Sequence, residues 1–355
     1  MKNYTQRLEN IEVILQKKLP QFFSPADLEN LFLTLPKAVN NSHLEPLVEP
    51  CRNLLLLGGK RWRPLLLVLC AEIFCKTEKM EENEKLSAAY NAVPLVEFVH
   101  TASLIHDDIE DAADMRRGKP AAHITYGLDT ALNSGSWLYF ASFSSINTLQ
   151  IEQNTKLELY KMLCAELRRL HLGQAMDIAW HRNNNFVPSR NEYEAMVRLK
   201  TGTLACLASK VGALIAGATE EDCNFLGNIA ADIGVGFQVL DDVINLKTGN
   251  VGKKRGDDIV EGKKSLPILI HLEKNNADFE KIMNCFNKAR AEGIESTAVE
   301  ECIEIVQKSG AIEEAKEYSA KLINNACNKI CEKYSSSPAS ILIADLFKQM
   351  VARTV

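Results

Sequence analysis

The apolar residues of this 355-residue chain recur with the period of an α-helix along most of its length. Leu8, Ile11 and Leu15 predict an amphipathic first helix, because residues three or four apart share one helical face. A second apolar helix is expected after Pro64. The remaining helical patterns cover residues 86–112, 129–150, 155–180, 191–218, 221–246 and 265–274, with more beyond 295. No sustained alternation of apolar and polar residues is found, so strand content should be near zero.

Polar segments separate these patterns and mark the expected loops. They are residues 76–84, 116–120, 183–188 and the longer stretch 248–264. None has the composition of a flexible interdomain linker, and no repeat of solenoid length is visible. The pattern therefore predicts a single all-α domain over residues 1–355, with 248–264 as a candidate mobile lid.

Composition and charge narrow the class of protein. Apolar residues make up 46% and charged residues 25% of the chain, close to the average for soluble globular proteins. The ten cysteines are scattered and complete no zinc site, so we expect reduced thiols and a cytoplasmic location. No apolar run approaches the roughly 20 residues that span a bilayer. A net charge of −5 argues against a nucleic-acid partner.

The most informative motif is DDIED at residues 107–111, which follows an apolar run at 95–105. On a helix, Asp107 and Asp111 share a face a little over one turn apart. Carboxylates so spaced can chelate Mg²⁺, whose other positions are filled by phosphate oxygens and water. A solvated acidic helix end is the alternative, but acidic residues that conclude an apolar helix favour the metal site.

A second acidic pair, Asp241 and Asp242, ends the apolar run 229–240, and Asn245 stands at the place that corresponds to Asp111. Two such clusters can bind one polyanion through several metal ions when a helical bundle brings them together. The combination of the two motifs, more than either alone, indicates a metal-dependent site for a polyanion.

Basic residues are concentrated at a few points of this mildly acidic chain. The segment GGKRWRP at 58–64 enters a helix, and its glycines let the backbone approach a ligand. Lys60 and Arg63 could bind one diphosphate, although a solvated basic loop is the alternative. The spacing of a nucleotide-binding GxxxxGK[ST] loop is absent. His100 shares the helical face of Asp107, which favours a substrate contact over a core histidine.

Between about residues 58 and 267, these motifs resemble those of the trans-isoprenyl diphosphate synthases. Residues 200–202 are similar to the family's KTG motif, 173–177 to its GQxxD motif and 256–263 to its GxDxxEGK lid. Phe237 and Gln238 precede the second acidic pair as in that family. The resemblance implies an isoprenoid-synthase helical bundle around a central cavity, a homodimer, and roughly three Mg²⁺ ions bound with the allylic diphosphate.

The resemblance also implies roles for the matching residues. The metal ligands would be Asp107, Asp111 and Asp241. The catalytic set would be Asp107, Asp108, Asp111, Arg116, Lys200, Thr201, Gln238, Asp241 and Lys263. The substrate-binding set would be Gly59, Lys60, Arg63, His100, Arg117, Gln174, Phe237 and Lys254.

The implied reaction joins isopentenyl diphosphate head to tail to an allylic diphosphate, which could be dimethylallyl, geranyl or farnesyl diphosphate. Metals and basic side chains would stabilise the departing diphosphate while its C–O bond breaks. The alkene of isopentenyl diphosphate would then attack the allylic cation, and positioning would supply much of the rate. The released diphosphate would act as the final base.

The branch that this chain resembles most comprises the type III geranylgeranyl diphosphate synthases, which also read DDIED and end their second motif with asparagine. Product length would be set by an apolar tunnel that begins at Asp107. Ala102 and Ser103 are too small to stop the chain, whereas Tyr139 and Phe140 would close the tunnel further down. The expected product is geranylgeranyl diphosphate, with a longer or shorter polyprenyl diphosphate as the alternative.

Two other functions are compatible with parts of the pattern. A class I terpene cyclase would need only one diphosphate site, and its NSE-type second motif is absent around Asp241. A non-catalytic subunit of a heteromeric synthase would usually lose an acidic cluster, whereas both are present. The two-substrate prenyltransferase is therefore favoured.

Overall fold

The protein is almost entirely helical in a computed structural model that describes residues 4–75, 80–183, 185–249 and 254–352. Its helices are α1 (Thr5–Lys18), α2 (Pro25–Phe32), α3 (Asn41–Leu56), α4 (Trp62–Phe74), α5 (Met80–Asn91), α6 (Pro94–Glu110), α7 (Ala122–Tyr126), α8 (Leu128–Asn147), α9 (Gln153–His181), α10 (Arg190–Val197), α11 (Thr203–Ile215), α12 (Glu220–Lys247), α13 (Asp257–Glu261), α14 (Leu266–Lys274), α15 (Phe279–Glu292), α16 (Thr297–Lys308), α17 (Ala311–Lys333) and α18 (Pro338–Ala352). A π-helical turn at Arg198–Gly202 and a 3₁₀ turn at Asn276–Asp278 complete the helical structure. With 79% helix, the all-α prediction is confirmed.

Strand structure is limited, in the described residues, to one short hairpin. Strands β1 (Met115–Arg116) and β2 (Lys119–Pro120) pair antiparallel, with Arg116 opposite Lys119. The segment 116–120, expected to be a loop, is thus mostly this hairpin, which directly follows the first acidic motif.

Several helix boundaries differ from those expected. The pattern at 86–112 was expected to form one helix, but the structure divides it into α5 and α6. Pro94 explains the break, because proline has no N–H for the preceding turn and is tolerated only where a helix begins. The segment 76–84 was expected to be a loop, yet α5 begins at Met80. The pattern at 191–218 becomes α10, the π-helical turn and α11.

The described chain forms two compact units. Unit 1 comprises Met1–Glu166, Cys206–Gly227 and Tyr334–Leu342. Its core includes α4 and α6, and Gly212 of α11 packs so closely on the Leu67 carbonyl of α4 that a side chain would not fit. The single-domain prediction for residues 1–355 stays a prediction.

Unit 2 comprises Leu167–Ala205, Asn228–Lys333 and Ile343–Val355. Its core is formed by apolar residues such as Tyr193, Val239, Ile268 and Phe286. The expected lid, 248–264, contains α13, where Ile259 is buried. Residues 250–253 of that segment lie outside the described residues, and the lid remains a prediction.

Two further expectations concern the cysteines and the membrane. All ten cysteines are free thiols in the structure, and eight of them are buried. None of the helices in the described part of the chain is long and apolar enough to cross a membrane.

Candidate functional site

The first acidic motif lies where α6 ends. The backbone N–H of Asp111 donates to the carbonyl oxygen of Asp107 at 2.9 Å, so the expected i, i+4 relationship is present. The helix ends because Ala112 adopts a left-handed conformation, with φ at 51°. The side chain of Asp107 is 21% exposed, whereas that of Asp108 is 1% exposed. The first carboxylate of the pair is therefore accessible to a ligand, and the second is not.

Arg116 of β1 explains how the buried Asp108 is tolerated. Its Nε donates to Asp108 Oδ1 at 2.7 Å, and its Nη2 lies 3.6 Å from Asp107 Oδ2. Burial of a carboxylate is costly unless an opposite charge or hydrogen-bond donors compensate for the lost water, and Arg116 supplies both. The catalytic role expected for Asp108 stays a prediction; in the structure its carboxylate is buried and paired with Arg116.

The basic loop that precedes α4 brings Arg63 next to His100. Arg63 Nη1 lies 3.4 Å from His100 Nε2, and the guanidinium stacks 4.4 Å above the Trp62 ring. Burial, followed by the charge of nearby arginines, holds the pKa of His100 well below its ordinary value. A neutral imidazole can donate a single N–H to an anion such as a diphosphate. Lys60 is exposed at the same loop.

Arg117 binds the backbone of this loop. Its Nη1 donates to the carbonyl oxygens of Gly58 and, at 3.3 Å, of Leu54. Gly58 and Gly59 have φ values of 76° and 151°, in the region that favours glycine. A side chain at Gly59 would also crowd the Arg117 guanidinium. Arg117, expected to bind substrate, thus also holds the glycine pair in place.

The second acidic pair repeats the arrangement of the first within unit 2. Asp241 is exposed, whereas Asp242 is buried. The carboxylate of Asp242 accepts hydrogen bonds from the Tyr193 hydroxyl (2.6 Å), the Leu266 backbone N–H (3.0 Å) and Gln238 Nε2 (3.2 Å). Burial raises the pKa of Asp242 to about 6, although these donors oppose the shift. In both motifs, the first aspartate is the more exposed of the pair, and the second is buried and hydrogen-bonded.

The π-helical turn Arg198–Gly202 brings three sequence motifs of unit 2 together. Lys200 Nζ lies 2.6 Å from Asp177 Oδ2, and the Thr201 hydroxyl donates to Gln238 Oε1 at 3.0 Å. Gly173 of α9 has the Lys200 backbone so close that any side chain there would clash. Short π-helical segments occur frequently at functional sites. The KTG, GQxxD and FQ motifs therefore meet at this turn, a convergence that their separate matches in the sequence did not predict.

Asn245 has a structural contact that sequence reasoning missed. Its side chain is buried, and its Oδ1 accepts the Asp258 backbone N–H at 3.3 Å. Its carbonyl oxygen accepts the Gly256 N–H at 2.9 Å. The first N–H groups of a helix lack acceptors inside the helix. The Asn245 side chain supplies such an acceptor to the first turn of α13. The only available signal was that asparagine favours such capping contacts.

The lysines of the expected lid have separate partners. Lys263 forms an ion pair with Glu261. Lys254 lies in an exposed ion pair with Glu295 at 2.6 Å. Lys264 is buried, and its Nζ donates to the Gly262 carbonyl at 2.9 Å.

Gln174 and Phe237, the other two residues of the expected substrate-binding set in unit 2, are both partly buried. The ring of Phe237 packs against Phe347, with centroids 5.7 Å apart.

The accessible carboxylates suit magnesium. In the described ranges, no three Asp, Glu, His or Cys side chains converge on a single point. A site made entirely by protein would need more ligands, but Mg²⁺ is usually bound by one or two carboxylates together with phosphate oxygens and water. Asp107, Asp111 and Asp241 are all at least partly exposed, and as hard oxygen donors they fit such an ion.

The four residues expected to control product length occupy different environments in unit 1. Ala102 is buried, and the Ser103 hydroxyl donates to the His100 carbonyl at 2.8 Å. Tyr139 is buried and meets the His106 ring edge-on, with centroids 5.4 Å apart. Phe140, in contrast, is 75% exposed. The two aromatic residues therefore do not line one wall within this unit.

Comparison with known proteins places the chain in a family. The model of the polyprenyl synthetase family matches residues 45–306, and the chain belongs to that family. It is a prenyltransferase, as the sequence motifs predicted.

Relatives and a solved structure agree with this assignment. The chain is 36% identical over 275 residues to a short chain isoprenyl diphosphate synthase of Methanocaldococcus jannaschii, covering 77% of this chain and 79% of the relative. It is 31% identical over 311 residues to a geranylgeranyl diphosphate synthase of Methanosarcina mazei, covering 87% and 90%. The fold matches a geranylgeranyl pyrophosphate synthase of Corynebacterium glutamicum, crystallised with isoprenyl diphosphate and magnesium. That match has a TM-score of 0.81 and 21% identity, and covers 97% of this chain and 98% of the other.

Proposed function

We propose that this prenyltransferase condenses isopentenyl diphosphate with an allylic diphosphate and releases geranylgeranyl diphosphate as its main product. The observation that carries the proposal is the repeated aspartate arrangement. In each acidic pair the first aspartate is accessible and the second is buried and anchored. Metal ligands held in this way keep their geometry while a charged ligand enters and leaves.

Magnesium is the proposed cofactor, with Asp107, Asp111 and Asp241 as its protein ligands and roughly three ions per allylic diphosphate. The ions would neutralise negative charge that develops on the departing diphosphate. Support comes from the exposed carboxylates described above and from the Corynebacterium glutamicum relative, which was crystallised with magnesium. Arg116 and Lys200 are positive groups beside the carboxylates of Asp107 and Asp177, and we assign both to the allylic diphosphate together with Lys263.

The homoallylic substrate is assigned to the basic loop. Lys60 is exposed, and Arg63 and the neutral His100 lie side by side. Arginine can bind a diphosphate through two parallel N–H groups, lysine acts as a point charge, and histidine contributes one N–H. The three groups would hold isopentenyl diphosphate while its alkene attacks the allylic carbon, so that much of the barrier is removed by positioning.

A homodimer is also proposed, with α8 in the interface. Leu128, Leu132 and Phe140 are large apolar residues on this helix, and all three are strongly exposed. Their spacing of four and eight residues places them on one side of the helix. An exposed apolar stripe of this kind is typical of a surface that a second subunit covers. A cytoplasmic location stays a prediction, supported by the many buried cysteines.

The experiment is incorporation of radiolabelled isopentenyl diphosphate by purified full-length protein with Mg²⁺. Dimethylallyl, geranyl and farnesyl diphosphate are supplied separately as the allylic partner. We expect a geranylgeranyl product from each, and loss of activity with a chelator. No incorporation would contradict the prenyltransferase assignment. Release of a cyclic hydrocarbon from an allylic diphosphate alone would favour the terpene cyclase instead.

A further inference from the structure

Arg61 has an unusual position within the basic loop of unit 1. It lies between the exposed Lys60 and the half-buried Arg63, yet it is itself buried, with 4% of its surface exposed. Its φ of 46° is left-handed, a conformation that is unfavourable for a residue with a Cβ atom. Such a conformation persists only where surrounding contacts hold it.

The guanidinium of Arg61 supplies these contacts through three acceptors. It donates from Nη1 to Glu97 Oε1 at 2.6 Å, from Nε to Glu12 Oε1 at 2.7 Å, and from Nη2 to the Leu55 carbonyl at 2.5 Å. One side chain therefore joins α6, α1 and the end of α3. Only arginine has a planar set of donors that can reach three acceptors in this way.

Glu97 provides the buried negative charge of this cluster. It is 2% exposed, and the positive charges that act on it come from Arg61, Arg63 and Arg117. Glu97 also lies one helical turn before His100 on α6. The same glutamate thus offsets the charge of the loop and connects it to the helix that carries the other substrate groups.

We propose that Arg61, held by Glu97 and Glu12, is a positioning residue that fixes Lys60 and Arg63 in the orientation that binds the homoallylic diphosphate. The inference rests on the proposed function, and it adds residues that make no direct contact with substrate. Lys60 directly precedes Arg61 and Arg63 follows two residues later, so the backbone turn at Arg61 would set the direction of the chain at both residues. Glu12 belongs to α1, outside the residues 45–306 that match the family model.

A role in stability alone is the alternative, and kinetics separates the two. Buried ion pairs often add little net stability. If the cluster only stabilised the fold, its loss would lower the melting temperature and impair both substrates together. A positioning role instead changes the Michaelis constant for isopentenyl diphosphate and leaves that for the allylic diphosphate unchanged.

The test uses the full chain with Glu12→Gln, Arg61→Lys and the double variant. Glu12 is suited to it because its side chain is 35% exposed, so the variant should fold. The matched control is Glu9→Gln, which alters an exposed glutamate of the same helix. We expect Glu12→Gln to raise the Michaelis constant for isopentenyl diphosphate about tenfold, as for loss of a charge-assisted hydrogen bond. The double variant should match Arg61→Lys alone, because the loss of the guanidinium already removes its contact with Glu12.

The outcomes separate this inference from the proposed function. An active wild-type protein with unchanged kinetics in Glu12→Gln would overturn the inference alone. Parallel increases in both Michaelis constants, together with a lower melting temperature, would assign the cluster to stability and also overturn it. A wild-type protein that incorporates no isopentenyl diphosphate would overturn the proposed function, and this inference with it.

Discussion

The hydroxyl of Tyr193 donates a 2.6 Å hydrogen bond to Asp242 Oδ2, and the same oxygen accepts the backbone N–H of Leu266 at 3.0 Å. Asp242 therefore connects α10, α12 and the first turn of α14. Its neighbour in sequence is Asp241, the exposed carboxylate proposed to bind magnesium. Hydrogen bonds to the residues next to a metal-binding side chain help to fix its orientation.

Replacement of Tyr193 by phenylalanine removes one donor from a buried carboxylate. We expect a loss of roughly 1–3 kcal/mol in the free energy of unfolding and a lower turnover number, measured by urea denaturation and by steady-state kinetics. Tyr318→Phe is the matched control, because Tyr318 donates an equally short bond to Glu194. Similar activity in the two variants would show that Tyr193 does not support the metal site.

The acidic motifs predict a strong dependence of activity on two carboxylates. Asp107→Asn and Asp241→Asn should each lower turnover by roughly 10²–10³-fold, because charge stabilisation in the transition state is lost. Circular dichroism should show unchanged helix content. Asp345→Asn, which alters an exposed aspartate of α18, serves as the control. Near-normal turnover in the Asp107 and Asp241 variants would exclude metal binding at these residues as the basis of activity.

Asn245 stands where the first motif has Asp111, and its replacement by aspartate tests whether this position takes part in metal binding. Its Oδ1 accepts the Asp258 N–H, and the side chain is 2% exposed. We therefore expect Asn245→Asp to leave the magnesium concentration for half-maximal activity unchanged. The melting temperature should fall, because a charge is buried. A lower magnesium concentration for half-maximal activity in this variant would mean that the side chain at position 245 contributes to metal binding.

Product length should depend on Tyr139 and not on Phe140. Of the two aromatic residues expected to close the tunnel, Tyr139 is buried and Phe140 is exposed, so we expect Tyr139 to stop the growing product. Tyr139→Ala should give longer products, whereas Phe140→Ala should leave the product length unchanged. Ser103→Phe should shorten the product towards farnesyl diphosphate. Chromatography of the dephosphorylated products measures all three. Longer products from Phe140→Ala would place that residue at the tunnel, as the sequence first suggested.

Lys264 predicts a dependence of stability on pH. Burial, followed by the charge of Arg290, lowers the pKa of Lys264 from 10.5 to about 8. Between these two values the unfolded state binds more protons than the folded state, so the free energy of unfolding rises with pH in this window. Below about pH 8, Lys264 is charged in both states, and burial of its ammonium group lowers the free energy of unfolding by its full amount.

Lys264→Met removes this contribution, since methionine has a similar shape and no charge. The stability of the wild type relative to this variant should increase between about pH 8 and pH 10.5 and stay constant at lower pH. Thermal melts over this range provide the measurement. A constant difference across the whole range would show that Lys264 has an ordinary pKa.

Much of the helical structure could be predicted from local pattern. The patterns at 129–150, 155–180, 221–246 and 265–274 became α8, α9, α12 and α14 with ends shifted by at most a few residues. Helix ends were harder to predict, since the division between α5 and α6 falls at Pro94 within a largely apolar stretch. The π-helical turn was not predicted from local pattern; in the structure its Lys200 backbone lies against Gly173 of α9.

The sequence by itself determined the all-α class, the family and the spacing of the carboxylates. Asp107 and Asp111 share a face in any α-helix, since 3.6 residues make one turn whatever surrounds it. Only the tertiary structure decided which neighbour in a motif is buried. Lys60 and Arg61, Asp107 and Asp108, and Tyr139 and Phe140 are chemically similar pairs, yet in each pair only one residue is deeply buried. Burial depends on packing between elements distant in sequence, and that information is absent from any local pattern.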